Sequence, residues 1–259
     1  MRSDEEPLPA TRRPPQTPVR NCYEDAARAS AYATLSFPGT YFLAYRDLPG
    51  LVMDHVTGSR ALDFGCGAGR STRFLEGLGL DVVGVDVSED MLGNARALDP
   101  GGDYRLIDAE GPGGLPQRAW DLVCSAFTFD NIPAERKPRL MRGIAGLLAP
   151  NGVFVNLVSS PEIYVHEWAS FSTRDYPENE NARSGDRVRI VITDIADSRP
   201  VEDVVCSDED YRRLYAQAGL EAIVTHRPLA VPDEPHPWVN ETSIPPWVIY
   251  VVRALSGPA

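Results

Sequence analysis

A segment with three glycines and one acid, ALDFGCGAGR at residues 61–70, has the residue types and spacing of a ligand-binding turn. Glycines let the backbone approach a ligand closely, and a helix that begins after the turn presents N–H donors to it. The glycine spacing is GxGxG, whereas a dinucleotide site has GxGxxG. Asp63 precedes the first glycine by two residues, and its carboxylate would repel an anion. The turn therefore favours a ligand that carries an ammonium group and a ribose.

Two more acids stand where further apolar runs end. Asp86 follows the run 82–85 about 20 residues after the first glycine, where a doubly wound fold places the carboxylate that accepts hydrogen bonds from ribose hydroxyls. Ser88 then begins a helix with acids in its first turn. Asp108 follows the run 104–107, and a carboxylate there can accept a hydrogen bond from the exocyclic amine of an adenine.

Strands must alternate with helices to bring these acids to one site. The sequence alternates between strand-like runs and helix-like stretches. The runs lie at residues 60–64, 82–85, 104–107, 122–125 and 153–158, and the helix-like stretches begin at residue 70 and span residues 88–98 and 133–148. This pattern predicts an α/β fold in which a parallel sheet has helices on both faces. In the later part of the chain, residues 188–192 and 201–205 predict a hairpin. Residues 208–218 predict a helix that Gly219 closes, and residues 222–225 and 247–252 predict two last strands.

The composition argues against several classes of protein. The chain has 259 residues and a formal net charge of −12, which argues against nucleic acid as a partner. No apolar run reaches the roughly 18 residues of a membrane helix, and the first residues have no apolar core of a signal peptide. A cytoplasmic location is therefore expected. The four cysteines are far apart and predict reduced thiols, and no metal-ligand pattern is visible, so no metal is expected.

The motifs resemble those of the class I S-adenosylmethionine (SAM) dependent methyltransferases. ALDFGCGAGR, VVGVDVS at residues 82–88, the pair Asp108-Ala109 and DLVCSAF at residues 121–127 occur in that family's order, and the resemblance covers residues 60 to about 158. It implies SAM as the cofactor and transfer of a methyl group to a small-molecule acceptor. The cofactor-binding residues that it implies are Asp63, Gly65, Cys66, Gly67, Gly69, Asp86, Val87, Met91, Asp108, Ala109, Ser125, Ala126 and Phe127.

Within that resemblance, the glycine turn would line the methionine part of SAM and Asp86 would hold its ribose. Val87 and Met91 would flank the adenine, and Asp108 with Ala109 would reach its amine. The residues that follow the fourth strand would lie beside the methionine end. The predicted architecture is a Rossmann-like, doubly wound sheet of seven strands. Its expected parts are a flexible tail at 1–20, a helical cap at 21–58 and the SAM-binding domain at 59–259, with a β-hairpin lid insertion at about 160–206.

The acceptor should bind beyond the ends of the fourth and fifth strands, where the sequence is rich in aromatic and titratable residues. His166 is the predicted general base, because an imidazole is matched to neutral pH. Tyr164, Glu162 and Glu167 are its alternatives. The predicted acceptor-binding residues are Tyr41, Tyr45, Phe129, Asn131 and Trp168.

Other functions remain open at this stage. An NAD-dependent oxidoreductase has the same fold, but the glycine spacing and the absence of a Tyr-xxx-Lys pair argue against it. SAM could also donate its aminocarboxypropyl arm or undergo cyclisation, and a third possibility is a non-catalytic SAM-fold binding protein. A monomer or a homodimer is expected.

Overall fold

The computed structural model describes residues 39–255, in which strands and helices alternate along most of the chain. The strands are β1 Arg60–Phe64, β2 Asp81–Asp86, β3 Asp103–Leu106, β4 Trp120–Ala126, β5 Leu148–Ser159, β6 Phe171–Ser172, β7 Arg187–Ile192, β8 Val201–Val204, β9 Leu220–His226 and β10 Trp247–Ala254. The helices are α1 Thr40–Arg46, α2 Leu48–His55, α3 Arg70–Gly77, α4 Glu89–Leu98, α5 Lys137–Leu147 and α6 Asp208–Gln217. The predicted tail at 1–20 and the part of the predicted cap at 21–38 lie outside the described residues.

Seven strands form one mixed sheet in the order β3-β2-β1-β4-β5-β10-β9. Strands β1 to β5 pair in parallel, and β10 runs antiparallel to both β5 and β9. The strand order reverses between β1 and β4, which is where a doubly wound sheet opens a crevice at its carboxyl edge. The predicted seven-stranded, Rossmann-like α/β fold is confirmed, with an antiparallel pair added at one edge.

Both faces of this sheet are covered, as the apolar composition of its strands requires. Alternate residues of β5 enter two separate buried clusters: Val155 and Leu157 lie in one, and Phe154 and Val158 lie in the other. The first cluster includes α1, α2 and the small sheet described next, and the second includes α5 and α6. The sheet is thus held between two apolar layers, which fixes the positions of its strand ends.

The predicted lid hairpin is present, and it is larger than expected. β7 and β8 pair antiparallel, from Arg187 opposite Val204 to Ile190 opposite Val201. β6 adds to β7 and makes a three-stranded sheet. The sequence did not predict β6 because two residues are too few to show a strand period.

Helix boundaries follow local chemistry. The Ser88 hydroxyl accepts a hydrogen bond from the Met91 N–H at 3.3 Å, so the predicted cap of α4 is confirmed. Gly219 follows α6 with φ +74°, a conformation that glycine adopts without strain. The helix predicted from Pro133 begins instead at Lys137. Pro138 explains the difference, because a proline is tolerated in the first turn of a helix but not in its interior.

Candidate active site

A cavity of about 520 Å³ opens at the carboxyl edge of the sheet. Its floor is formed by residues that directly follow β1, β2, β3 and β4. The turn 131–136 before α5 forms one wall, and Gly185, Arg187 and Val204 of the lid region contribute to another. The predicted residues that line it are Gly65, Gly67, Asp86, Val87, Met91, Asp108, Ala109, Ala126, Phe127, Tyr41 and Asn131. Most of the predicted cofactor residues are therefore brought together at one place.

The glycine turn after β1 needs its glycines for conformation and for space. Gly65, Gly67 and Gly69 have φ values of +79°, +54° and +76°, which side-chain-bearing residues rarely adopt. A Cβ atom on Gly67 would lie 2.9 Å from Met91 Cε. A Cβ atom on Gly69 would lie 2.6 Å from the Tyr104 hydroxyl oxygen. The turn consequently presents bare backbone to the cavity at Gly65 and Gly67.

Asp86 connects this turn to the next strand end. Its Oδ2 accepts a hydrogen bond from the Gly67 N–H at 2.8 Å, and its Oδ1 accepts one from the Ser88 N–H at 2.9 Å. Burial raises the pKa of the carboxyl, while these backbone donors oppose the rise. A carboxylate offers about four lone-pair sites, so Asp86 retains acceptor capacity on the side that lines the cavity. This is the chemistry that a ribose diol requires.

Asp63 lies behind the turn and does not line the cavity. It is fully buried, and its Oδ2 accepts hydrogen bonds from Ser71 Oγ at 2.6 Å and Thr72 Oγ1 at 2.7 Å. Burial raises its pKa to about 6. Its Oδ1 has no hydrogen-bond partner among residues 39–255. Asp63 thus fixes the start of α3 from behind the turn.

Apolar side chains that follow β2 and β3 line another part of the cavity. They are Val87, which is 45% exposed, Met91 and Ile107. Asp108 lies beside them, and its Oδ1 accepts a hydrogen bond from the Glu110 N–H at 2.7 Å. An adenine can lie with its ring faces against these apolar side chains, and its amine can donate a hydrogen bond to the Asp108 carboxylate.

The residues at the end of β4 also line the cavity. Phe127 has φ +62°, which is unusual for a residue with a large side chain. Its N–H donates to the Leu157 carbonyl at 2.8 Å, and its own carbonyl accepts from Asn131 Nδ2 at 3.1 Å. These bonds hold the strained residue in place. Of its predicted neighbours, Ala126 lines the cavity, whereas Ser125 is fully buried outside it.

Three of the predicted acceptor residues lie elsewhere. Phe129 is fully buried in the cluster beneath α5 and contacts Phe154. Tyr45 is buried against Phe74, with a ring-centroid distance of 5.0 Å. Trp168 is buried, and its Nε1 donates to the Ile163 carbonyl at 2.9 Å. All three serve as core residues in this structure.

The predicted general base is not among the residues that line the cavity. His166 is about one-third exposed, and its Nε2 lies 3.2 Å from Glu162 Oε2, whose own side chain is about half exposed. The Glu167 carboxylate accepts a hydrogen bond at 2.7 Å from the N–H of Thr173, the residue that follows β6. Both His166 and Glu167 follow the 3₁₀ turn Pro161–Tyr164. The geometry gives no support to His166 or Glu162 as a base, and their catalytic roles stay predictions.

Tyr164 has a different environment. It lines a second cavity of about 40 Å³, here called the inner chamber, which shares Tyr41, Phe127 and Asn131 with the large cavity. The Tyr164 hydroxyl donates to Asp203 Oδ2 at 3.1 Å. Burial raises the pKa of the phenol well above its usual value. Tyr164 is therefore a neutral hydrogen-bond donor close to the site.

The carboxyls of Asp130 and Asp203 also line the inner chamber. Asp130 Oδ2 accepts hydrogen bonds from the Ser159 N–H at 3.0 Å and from its hydroxyl at 2.9 Å. Burial raises the pKa of Asp130 to about 7, Asp203 adds to the rise, and Lys137 opposes it. Lys137 is itself buried, with its Nζ lacking a hydrogen-bond partner within residues 39–255.

Sequence reasoning did not identify several residues of the site. Arg70 lines the large cavity, with its guanidinium carbon 4.8 Å from the Tyr41 ring centroid. Because Arg70 directly follows the last glycine of the turn, the sequence could have indicated that it lies at the site. Arg187, Asp130 and Asp203 gave no local signal, because they belong to segments that meet only in the folded chain. In the part of the chain that is described, no group of three or more His, Cys, Asp or Glu side chains is arranged to hold a metal ion.

Part of the chain is similar in sequence to known methyltransferases. Residues 62–156 match the family model described as "Methyltransferase domain". The ubiquinone biosynthesis O-methyltransferase of Burkholderia multivorans is 33% identical over 102 residues, which cover 38% of this chain and 43% of that protein. The chain thus spans less than half the length of this curated relative.

Solved structures match over most of the chain. An S-adenosylmethionine dependent methyltransferase from Mesorhizobium loti has a TM-score of 0.58 at 22% identity, covering 81% of this chain and 97% of that one. A structure described as a DhpI-SAM-HEP complex has a TM-score of 0.56 at 20% identity, covering 89% and 94%. At these identities the likeness concerns the fold.

The fold is the Rossmann-like fold that SAM-dependent methyltransferases of known structure also have. Residues 62–156 match a methyltransferase domain, and the resemblance drawn from the motifs is confirmed over these residues.

Proposed function

We propose that this chain binds SAM in the large cavity and transfers its methyl group to a small-molecule acceptor. The observation that carries the proposal is the arrangement of the strand ends. A bare glycine turn, the Asp86 carboxylate and the apolar side chains beside Asp108 follow one another along a single cavity of about 520 Å³. This order matches the methionine, ribose and adenine parts of SAM.

The residues present fit the cofactor chemically. Gly65 and Gly67 would lie against the methionine part. Asp86 would accept from the ribose hydroxyls, and Asp108 from the adenine amine. When bound, SAM supplies a methyl group on a sulfonium, which is already activated for displacement.

The protein's contribution to such a reaction is placement and exclusion of water. Gly185 and Val204 of the lid region line the same cavity as the strand ends, and Phe127, which also lines it, is held in a strained conformation. Rigid placement of two reactants can supply several kcal/mol of the barrier, roughly 7 to 11 in the best cases. The cavity volume and the name of the Burkholderia relative both support a small acceptor.

Asp86→Ala is expected to weaken SAM binding by about ten- to a hundredfold. The change removes a charged acceptor worth roughly 1.5 to 3 kcal/mol, and it also releases the Gly67 N–H. Titration calorimetry with SAM and with S-adenosylhomocysteine measures the loss.

The matched control is Asp81→Ala, which removes the same residue type from the exposed start of the same strand. It should bind SAM as the wild type does. Equal affinity of the wild type and Asp86→Ala would contradict the assignment of the cavity to SAM.

No observation favours transfer of the aminocarboxypropyl arm, cyclisation or a non-catalytic role. No helix within residues 39–255 has the length and apolar character needed to cross a membrane. The cytoplasmic location and the monomeric or homodimeric state stay predictions from the sequence.

A further inference from the structure

The crevice at the switch point opens between β1 and β4, and the two strands separate at a defined residue. β1 pairs with β4 as far as Asp63. On its other side β1 pairs with β2 one residue farther, as far as Phe64. The last residue of β4, Ala126, still pairs with Leu157 of β5. The glycine turn therefore leaves the sheet next to β2, while the end of β4 continues beside β5.

The backbone N–H groups of the glycine turn bond to the end of β2. Gly65 and Cys66 both donate to the Val85 carbonyl, at 2.8 and 3.0 Å. Gly67 donates to Asp86 Oδ2 at 2.8 Å. These bonds hold one side of the turn to β2, and a side chain makes the link from the turn to the end of β4.

That side chain is Thr128, the second residue after β4. Its hydroxyl oxygen is 3.1 Å from the Phe64 carbonyl oxygen and 3.2 Å from the Gly65 carbonyl oxygen. A hydroxyl has one proton, so Thr128 donates a hydrogen bond that these two carbonyls share. A Cβ atom added to Gly65 would overlap the Thr128 side chain, so the two residues are in close contact. The hydroxyl thus bridges the crevice beyond the last backbone pair of β1 and β4.

Thr128 is itself held in place by hydrogen bonds on the β4 side. Its carbonyl accepts a hydrogen bond from the Asn131 N–H at 3.3 Å. The preceding residue, Phe127, donates its N–H to the Leu157 carbonyl of β5 at 2.8 Å. Thr128 is half-buried and lines the large cavity together with Gly65. Its hydroxyl therefore ties the glycine turn to a fixed part of the sheet.

We propose that Thr128 is a positioning residue for the methionine part of SAM. Its hydroxyl holds Gly65 to the end of β4, and it thereby fixes the crevice where the turn would contact the cofactor. The proposal rests on the proposed function, because it assigns a role within the same site. Thr128 acts through the glycine turn, whereas Asp86 and Asp108 would hold the adenosine part of SAM without it.

Two variants, one with and one without the hydroxyl, test this role. Thr128→Val keeps the shape of the side chain and removes the hydrogen bond, whereas Thr128→Ser keeps the hydroxyl. Calorimetry of the full chain compares S-adenosylhomocysteine with 5′-methylthioadenosine, which has the adenosine and lacks the amino acid part. We expect Thr128→Val to bind S-adenosylhomocysteine about three- to tenfold more weakly, the range that one neutral hydrogen bond provides. It should bind 5′-methylthioadenosine almost normally, and Thr128→Ser should bind both compounds almost as the wild type does.

The matched control is Thr193→Val. Thr193 is exposed, and its hydroxyl also donates to a backbone carbonyl, that of Ala169, at 3.4 Å. The control should bind both compounds as the wild type does. Amide hydrogen exchange without any ligand is the second readout: the peptide covering residues 61–70 should exchange faster in Thr128→Val, and peptides from β5 should not. If Thr128→Val does not fold, Thr128→Ala replaces it in both measurements.

The outcomes separate the two proposals. Wild-type affinity for S-adenosylhomocysteine in folded Thr128→Val would overturn the positioning role, and so would an equal loss in Thr128→Ser. An equal loss of affinity for both compounds, or faster exchange over the whole chain, would show a general structural role instead. Failure of the wild type to bind S-adenosylhomocysteine would contradict the proposed function, and hydrogen exchange would still decide whether Thr128 holds the turn.

Discussion

Gly65→Ala is expected to lower SAM affinity by more than about a hundredfold. The added Cβ would collide with the Thr128 side chain, lying 2.8 Å from its Cβ and closer still to its hydroxyl. Thr128 cannot move aside easily, because its hydroxyl donates to the Phe64 carbonyl at 3.1 Å. A left-handed φ of +79° adds roughly 1 to 2 kcal/mol of strain for a non-glycine residue. The turn must then shift and lose its contacts with the ligand.

Calorimetry with SAM measures this loss, and thermal melting shows whether the variant is folded. The matched control is Gly113→Ala, since Gly113 is exposed and no atom lies within 4 Å of a Cβ added there. We expect the control to bind SAM normally. A folded Gly65→Ala protein with wild-type affinity would show that the cofactor does not lie against the turn.

Lys137→Met is expected to destabilise the fold by about 3 to 5 kcal/mol at pH 8, the usual cost of removing one partner from a buried set of charges. Asp130 would then lack the ammonium that lowers its pKa, while Asp203 would still raise it. For a chain of this size the melting temperature should fall by about 10 °C. Thermal unfolding measured at several pH values tests this.

The sign of the pH dependence follows from the raised pKa of Asp130. An unfolded aspartate ionises near pH 4 and folded Asp130 near pH 7, so the folded state holds the extra proton between these values. The stability that this carboxyl contributes is greatest below about pH 4 and is lost as the pH rises to about 7. The effect of Lys137→Met should accordingly be smaller at pH 5 than at pH 8.

The double variant Lys137→Met with Asp130→Asn provides the control, because it removes the negative charge together with the positive one. It should recover a large part of the stability lost in Lys137→Met. If both proteins melted at the same temperature at pH 8, Lys137 and Asp130 would not be coupled.

The cofactor half of the site could be predicted because its signals are local in the sequence. The glycines of the turn and Asp86 stand at the ends of apolar strands, and a parallel sheet brings all such ends to one edge. The spacing of residues 61–70 and 82–88 was therefore enough to place Gly65, Gly67 and Asp86 along one cavity.

The acceptor half could not be predicted in the same way. His166 follows β5 by seven residues, but it lies beyond a 3₁₀ turn and does not line the cavity. Phe129 and Tyr45 are aromatic residues near strand ends, and sequence alone does not distinguish an aromatic pocket wall from an aromatic core. Asp130 and Asp203 lie far apart in the chain, and only the packing of the lid region on the end of β4 brings both to the inner chamber.

The central claim is that the large cavity holds SAM, and parallel calorimetric titrations of the full chain with SAM, S-adenosylhomocysteine and NAD⁺ test it most directly. The account predicts saturable binding of SAM and S-adenosylhomocysteine at one site per chain. NAD⁺ should bind far more weakly, because the turn has the spacing GxGxG and not the GxGxxG that places a pyrophosphate on the helix N-terminus. Tight binding of NAD⁺, with no binding of SAM or S-adenosylhomocysteine, would contradict it.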